Sequence, residues 1–262
     1  QKEPVIDMPT RFVDFMRVLV PMAGDDTTPE GEQVNIYGNH VGSWNFAATA
    51  YLNRWKVKIY YEHYFDDHSQ MFFQYGRWKD GHIGLEITFP KNRFIDTFVY
   101  EGLGTKDQTG PMLYDSFWGE FEEQISAKDN YYNHYLYQGW QHWGMGIGNP
   151  LLPGPIYNKN GQITFISNRV LAHHIGFCGS PCQSLSYRML LSYSRHWGTY
   201  DNPLNEIKKQ FNSLFEVTYA PQQLKGWSFT VSGAMDRGSM LGNNYGGMLV
   251  IRKQGIIKSG NK

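Results

Sequence analysis

The sequence predicts an all-β protein, an antiparallel β-barrel whose strands each have one apolar and one polar face. Two observations favour this fold. Large apolar residues recur at every second position, which is the period of a strand, and long loops alternate with short turns along the chain. The alternation is clearest from Leu185 to Tyr193 and continues from Phe211 to Tyr219. A helix needs a period near 3.6, so it is excluded over these two segments.

Length and composition are compatible with one large β domain over residues 1–262. Aromatic residues make up 16% of the chain and glycine occurs 28 times, which suits strands joined by many turns. Lys plus Arg equals Asp plus Glu at 24 each, so no net field attracts nucleic acid. A mean hydropathy of −0.50 does not exclude a transmembrane barrel, because only alternate residues of its strands face lipid.

The strands are predicted in order from the same alternation. Phe12 to Val20 is expected to be a strand that ends at Pro21, and a long polar loop is expected from Ala23 to Asn39. The other predicted strands are Val41 to Leu52, Trp55 to Phe65, Ile83 to Phe89, Phe94 to Glu101, Arg169 to Phe177, Leu185 to Tyr193, Phe211 to Tyr219, Trp227 to Met235 and Tyr245 to Ile251. Residues 102–168 form the largest irregular region, which is expected to hold a short helix near Glu120 to Ser126 and an extra strand pair near Tyr137 or Ile163.

The predicted connections alternate in length. The long ones are 23–39, 66–81, 102–168, 196–210 and 236–244, and the short ones are 53–54, 90–93, 179–181 and 220–226. Successive connections of an antiparallel meander lie at opposite ends, so all the long loops fall at one end. Bacterial outer-membrane barrels are built this way, with long extracellular loops and short periplasmic turns.

Aromatic residues beside the short turns support the membrane interpretation, since an interfacial girdle would lie there. They are Trp55, Phe89, Phe177, Tyr219 and Trp227. A soluble barrel or sandwich with its apolar face inward stays open, because the period reports two faces without saying which is inside. The bacterial outer membrane is the expected location, and Gln1 to Asp7 carry no export signal, which is expected to lie upstream or to have been removed.

Cys178 and Cys182 flank Gly179-Ser180-Pro181, which is expected to be a turn. They are either a disulfide or two free thiols. His173 and His174 are neighbours in a strand and therefore point to opposite faces, so they do not serve one metal ion. Asp66-Asp67-His68, and Asp129 with His134, are further metal-capable groups, but no metal site is predicted.

No catalytic motif is present. No G-x-S-x-G elbow selects a nucleophile, and the glycines of 144–150 lack the Lys-Ser/Thr of a phosphate loop. We therefore predict a protein that is not an enzyme and needs no cofactor.

The predicted polar faces carry charges of both signs, expected to face the lumen. These residues are Lys56, Lys58, Glu62, Glu86, Arg188 and Glu216. They line a water-filled or cross-linked lumen if the barrel is wide, and the alternative is mutual ion pairing that fills the interior.

Aromatic and polar residues alternate in the longest loop, which suits the apolar faces and hydroxyl rims of sugars. The candidate polysaccharide-binding residues are Trp118, Tyr131, Tyr132, His134, Trp140 and Trp143. The alternative is that these rings pack among themselves and fold the loop inward as a plug.

Several strings together resemble the capsule-assembly Wzi-like proteins of the Bacteroidetes. They are HVGSWN at 40–45, YEHYFDD at 61–67, WKDG at 78–81, TKDQTGP at 105–111, DNYYNH at 129–134, GWQHWG at 139–144, WGTY at 197–200 and DRG at 236–238. The resemblance implies an outer-membrane barrel of about eighteen strands, of which this chain, with about ten, is the C-terminal part.

The resemblance also implies a non-enzymatic role in the assembly or attachment of capsular or other surface polysaccharide, and it assigns no binding residue. The expected partners are that polysaccharide and outer-membrane lipid. Two other functions stay open: an outer-membrane diffusion channel, and an outer-membrane hydrolase that uses His134 or His174.

Overall fold

In the described part of the chain, nine of the eleven strands form one antiparallel sheet whose members pair in chain order, the two strands of a short separate hairpin excepted. The computed structural model describes residues 8–20, 22–34, 36–66, 71, 80–92, 94–114, 119, 122–123, 125, 128–134 and 139–255. The strands are β1 Val41–Leu52, β2 Trp55–Asp66, β3 Gly81–Thr88, β4 Thr97–Gly104, β5 Gln141–His142, β6 Met145–Gly146, β7 Val170–Cys182, β8 Leu185–Gly198, β9 Pro203–Tyr219, β10 Trp227–Gly238 and β11 Asn244–Lys253.

The sheet order is β1-β2-β3-β4-β7-β8-β9-β10-β11, which is an up-and-down meander, and β5 and β6 pair separately. The helices are α1 Phe12–Leu19, α2 Glu30–Val34 and a 3-10 turn at Pro155–Tyr157. Among the described residues no helix is both long and apolar enough to cross a membrane. The fold is therefore all-β over the described residues, as predicted.

Strand pairing gives the sheet an apolar face and a polar face. One line of paired residues crosses all nine strands on the apolar face: Ala50, Val57, Ile87, Phe98, Phe177, Met189, Phe215, Gly233 and Gly247. Many side chains of this face are exposed, among them Val231 at 61% and Leu249 at 65%. The two-residue period predicted from the sequence is thus continuous from β1 to β11.

Aromatic rings lie at both ends of the apolar face. At the end of the short turns, the ring centroids of Trp55 and Phe89 are 5.0 Å apart, and those of Phe177 and Tyr187 are 6.3 Å apart. At the other end, which we call the loop end, the apolar face carries Trp44, Tyr61, Tyr193, Phe211 and Tyr245. Two aromatic rows therefore bound the apolar face.

Polar side chains bond to one another across strands on the opposite face. Asn212 donates to Asp236 at 2.7 Å, and the hydroxyls of Thr218 and Thr230 are 2.8 Å apart. Such cross-strand pairs stabilise a sheet by a few tenths to about 1 kcal/mol each. They mark this face as one that is satisfied by polar partners and by water.

The described residues of the segment 105–169, which we call the insertion, fold back over the polar face at the loop end. Their apolar side chains join strand residues in one buried cluster: Leu103, Tyr132, Leu152, Phe165, Val170 and Ala172. Tyr132 packs edge-on against Phe165 with centroids 5.1 Å apart. The buried core of the described chain thus lies on the polar side of the sheet.

The predicted closed barrel is confirmed only in part. Over the described residues β1 pairs only with β2 and β11 pairs only with β10, so the sheet is open. What the sequence predicted correctly is an antiparallel sheet with two unlike faces.

The prediction of a strand from Phe12 to Val20 is wrong, because this segment is helix α1. Phe12, Phe15 and Leu19 follow the three- and four-residue spacing of a helix. The backbone N–H of Arg11 donates to the carboxylate of Asp14 at 2.9 Å, which satisfies a free donor at the helix start.

The predicted long loops at 196–210 and 236–244 are also wrong, since strands extend into them. Only residues 199–202 and 239–243 connect β8 to β9 and β10 to β11. Strand pairing continues into these segments because backbone hydrogen bonds between strands form whether or not the side chains alternate between apolar and polar. The excess length at the loop end therefore comes from 67–80 and 105–169 alone.

The predicted turn at Gly179–Pro181 lies inside β7, where the pairing with β8 shifts between Gly179 and Cys182. The turn itself is at 183–184, and both cysteines are free thiols. The helix expected near 120–126 and a strand pair near Tyr137 fall largely outside the described residues, whereas Ile163, the other expected place for that pair, is described and lies in no strand. The hairpin of β5 and β6 lies close to Tyr137 in the chain.

Phe165→Ala should loosen the insertion, because Phe165 is 1% exposed and its ring fills the centre of the buried cluster. A Phe→Ala change in a core costs about 3–5 kcal/mol. We expect faster cleavage of the insertion in limited proteolysis of the folded protein. The matched control is Ile163→Ala in the same segment, 53% exposed, which should leave the rate unchanged. Equal rates for both variants would contradict the packing described above.

Candidate functional site

A pocket of about 640 Å³ opens between the polar face and the insertion. The strand wall consists of Val41, Gly42, Ser43, Glu62, Tyr64, His82, Glu101, Leu103, Ala172, His174 and Ser192. The insertion wall consists of Tyr132, Trp140, Ile147, Gly148, Asn149, Pro150 and Leu151. Its volume lies within the range of small-molecule sites.

Two carboxylates and a histidine form the floor of the pocket. The Nδ1 atom of His82 lies 3.6 Å from Glu62, and its Nε2 atom lies 3.4 Å from Glu101. His82 pairs with Glu62 across β2 and β3, and Glu101 belongs to the next strand, β4. The two-residue period therefore delivers all three side chains to the same face from three adjacent strands.

Hydroxyl groups complete this floor. Glu62 accepts a hydrogen bond from Ser43 at 2.8 Å and another from Tyr64 at 3.3 Å, and Glu101 accepts one from Tyr60. Further along the wall, Nδ1 of His174 is 2.6 Å from the hydroxyl of Ser192. The floor can thus offer both donors and acceptors to a hydroxyl-rich ligand.

The insertion wall is aromatic and held in place by polar contacts. Trp140 stacks on Tyr132 with an interplanar angle of 25°, and its indole N–H donates to Asn39 at 3.2 Å. The hydroxyl of Tyr132 accepts from the backbone N–H of Asn149 at 3.0 Å. Flat rings therefore face the charged floor across the pocket.

Three aromatic residues of the insertion have left-handed backbones. The φ angles are 71° at Tyr132, 54° at Trp140 and 52° at Trp143. Bulky residues rarely adopt this conformation, which costs on the order of 1–3 kcal/mol and persists where surrounding contacts fix it, often at functional sites. The insertion holds its rings in strained positions.

Buried hydrogen bonds attach the insertion to Asp80, the residue before β3, and hold its two ends together. Asp80, which is 1% exposed, accepts from the backbone N–H groups of Gln108 and, at 3.2 Å, of Asp107. Asn168 donates to the carbonyl of Tyr131 at 2.9 Å, and its own carbonyl accepts from Thr105 at 2.7 Å. Burial raises the pKa of Asp80 to about 6, against the opposing effect of the backbone donors.

The fold places the candidate polysaccharide-binding residues in different environments. Tyr131 and Tyr132 are buried, at 4% and 8% exposed, which matches the alternative in which the loop packs inward. His134 contacts Glu32 at 3.6 Å and does not line the pocket. Trp140 lines the pocket, Trp143 is 86% exposed, and Trp118 lies outside the described residues.

The six residues expected to face the lumen all lie on the polar face. Lys56 pairs with Glu86 at 3.5 Å, and Arg188 pairs with Glu216. The ammonium of Lys58 lies 5.2 Å from the centroid of the Tyr60 ring. Of the six, only Glu62 lines the pocket. Four of the six residues are therefore ion-paired across strands, which matches the alternative of mutual ion pairing.

Sequence reasoning missed His82 and Glu101. The alternation of β3 and β4 places both side chains on the polar face. Their convergence on Glu62 depends on the register between three strands, which cannot be read from the sequence. His173 and His174 lie on opposite faces, as expected: His173 bonds to Tyr100 at 2.8 Å, whereas His174 faces the pocket. Within the part of the chain that the structure describes, no three His, Cys, Asp or Glu side chains are grouped to hold a metal ion.

Attachment of the insertion should depend on pH through Asp80. Because its folded pKa of about 6 is raised above the ordinary value of 3.8, its contribution to stability is fully present below pH 3.8 and is lost as pH rises through 6. The change is at most about 3 kcal/mol. We expect amide exchange at 106–110 to report tighter closure at pH 4.5 than at pH 7.5.

Asp80→Asn should reduce the difference in amide exchange at 106–110 between pH 4.5 and pH 7.5, since the amide side chain does not titrate. Asp96→Asn, at the opposite end of the sheet, is the control and should keep the wild-type difference. An unchanged pH dependence in Asp80→Asn would show that Asp80 does not set it.

Comparison of the chain with family models, with curated proteins and with solved structures gives no match.

Proposed function

We propose that the chain forms part of an outer-membrane β-barrel, with its apolar face toward lipid and its polar face toward the lumen. The single observation that carries this proposal is the side on which the insertion packs. The insertion and its buried cluster lie on the polar face, whereas the apolar face carries exposed apolar side chains on most of its strands, among them Phe46, Ile59, Phe215, Val231 and Leu249. In the proposed barrel the polar side is the interior, and lipid covers the apolar side.

The size and borders of the apolar face support this proposal. Soluble monomers rarely expose contiguous apolar patches larger than a few hundred Å². From Tyr219 to Phe211 the strand rises about 27 Å at ~3.4 Å per residue, which after the usual barrel tilt is close to the apolar band of outer-membrane barrels. Aromatic rows at both borders are the arrangement expected at two membrane interfaces.

Within this frame we propose that the protein holds capsular or other surface polysaccharide at the cell surface without catalysis. The support comes from the loop end, where strained aromatic rings and a hydroxyl- and carboxylate-lined pocket lie together. Aromatic faces pack on the C–H surfaces of sugars, and carboxylates and imidazoles bond to hydroxyl groups. The resemblance to Wzi-like proteins favours the same function.

The other two functions receive less support. An open diffusion channel needs a free lumen, whereas the insertion lies over the polar face at the loop end. Of the two histidines considered for a hydrolase, His134 does not line the pocket, and the Nδ1 atom of His174, which does, is 2.6 Å from the hydroxyl of Ser192.

Arginine substitutions on the two faces of β10 should have opposite outcomes. Val231 lies on the apolar face and Ala234 on the polar face, and both are exposed. Arginine near the middle of the bilayer costs about 2–4 kcal/mol. We expect Val231→Arg to reduce the amount of folded, heat-modifiable protein in outer membranes and Ala234→Arg to leave it unchanged. If Val231→Arg kept the amount of folded protein and Ala234→Arg reduced it, the assignment of the two faces would be reversed.

Trp143→Ala should weaken the retention of surface polysaccharide, because this ring is 86% exposed at the loop end and removing it disturbs little packing. Stacking of a sugar on a tryptophan contributes about 1 kcal/mol or more, so we expect a several-fold increase in polysaccharide released from intact cells. Phe94→Ala, at the short-turn end and 76% exposed, is the matched control. Equal retention in both variants would remove Trp143 from the proposed site.

A further inference from the structure

A row of cations lies on the outward face at the aromatic row of the loop end and just beyond it. Its members are Arg195 of β8, Lys209 of β9 and Arg237 of β10, which we call the basic row. By the strand alternation they share the face of Tyr193 and Phe211, and Lys209 and Arg237 are exposed. The chain as a whole has equal numbers of acidic and basic residues, so this local excess is not a matter of composition.

Strand pairing holds these like charges together. Arg195 is directly opposite Lys209, and Arg237 is opposite Phe211 and therefore diagonal to Lys209. Like charges directly opposite each other destabilise a sheet. Elsewhere the sheet avoids this situation, for example where Arg188 is opposite Glu216. Among the described residues none of the three members forms an ion pair.

Neighbouring cations extend the positive surface. The ammonium of Lys106 and the guanidinium of Arg195 each lie 5.4 Å from the Trp197 ring centroid. Arg169 stacks on Tyr200 at 3.8 Å and donates to the carbonyl of Lys106 at 2.9 Å. The adjacent carboxylates each lie beside a lysine: Asp107 is 3.9 Å from Lys106 itself, and Asp201 pairs with Lys128.

We propose that the basic row binds the phosphate groups of glycolipid headgroups in the outer leaflet of the outer membrane. The inference rests on the proposed function, because it needs the apolar face to be in lipid and the loop end to be outside. Arg195 and Lys209 then lie one same-face step beyond Tyr193 and Phe211, and Arg237 is level with Phe211, so the row lies where the interfacial aromatic residues meet the headgroups. An anionic headgroup removes the repulsion that the pairing of Arg195 with Lys209 creates.

The chemistry favours a lipid phosphate over other anions. Guanidinium groups bind phosphate oxygens with two parallel hydrogen bonds, and lysine adds a point charge. The apolar face directly below the row offers a surface for acyl chains that belong to the same molecule. A free phosphate ion would use only the first of these two features.

The test uses the full chain in detergent micelles, with lipid binding measured by native mass spectrometry. The probes are bis-phosphorylated lipid A, its dephosphorylated counterpart and inorganic phosphate. The test variant carries Arg195→Gln, Lys209→Gln and Arg237→Gln. The control carries Lys253→Gln and Arg54→Gln at the short-turn end, where Lys253 lies over Trp227 at 5.4 Å. A charge-keeping variant, Arg195→Lys with Arg237→Lys, separates charge from packing.

We expect the wild type and the control to prefer the phosphorylated lipid, and the test variant to bind it about tenfold more weakly. The charge-keeping variant should retain most of the preference. Equal binding of both lipids by the wild type, or an unchanged preference in the test variant, would overturn the proposal. So would tight binding of inorganic phosphate alone, which would exclude a lipid source.

Failure of the proposed function would look different. A wild-type chain that stays folded and monomeric without detergent would overturn the membrane assignment before any lipid is added. A chain that needs detergent but shows no phosphate preference would overturn only the lipid site. Heat-modifiable migration of each variant on gels confirms that it is folded before binding is measured.

Discussion

One constraint governs the molecule: the two-residue alternation of side chains is carried in register through nine paired strands. A slip of one residue in any pair would move a strand's apolar side chains to the polar face. The apolar face, the pocket floor of Glu62, His82 and Glu101, and the basic row therefore depend on the same register. Backbone hydrogen bonds hold that register, and the buried contacts of the insertion support it at the loop end.

The insertion buries part of the polar face of the sheet at the loop end. A sheet with two unlike faces is equally compatible with a soluble core and with a membrane. Phe165 and Val170 are buried on the polar side, Asp80 holds the insertion through the backbone N–H of Gln108, and Asn168 bonds to Tyr131 within the insertion. The same packing brings Trp140 opposite the charged floor, so the fold of the insertion and the shape of the pocket have one cause.

The sequence predicted best where side chains alternate most strictly. β2 and the first half of β8 were recognised because large apolar residues recur at nearly every second position, although Tyr60, Tyr64 and Leu190 interrupt the polar positions between them. The β9 segment from Pro203 to Gln210 was not, because it lies beyond the apolar face and is rich in charge, and only ladder hydrogen bonds keep it extended. Helix α1 was missed since its short apolar run fits both periods. In the site, Glu62 was found from its strand, but His82 and Glu101 join it only through register.

The central claim is that the apolar face of the sheet contacts lipid. Spin labels placed one at a time at positions 227 to 235 of β10, in reconstituted bilayers, test it most directly through their accessibility to oxygen and to a water-soluble nickel chelate. If the apolar face contacts lipid, oxygen accessibility should be high at 229, 231, 233 and 235 and nickel accessibility high at 228, 230 and 234. High nickel accessibility at the odd positions and high oxygen accessibility at the even ones, or no alternation along the strand, would contradict contact of the apolar face with lipid.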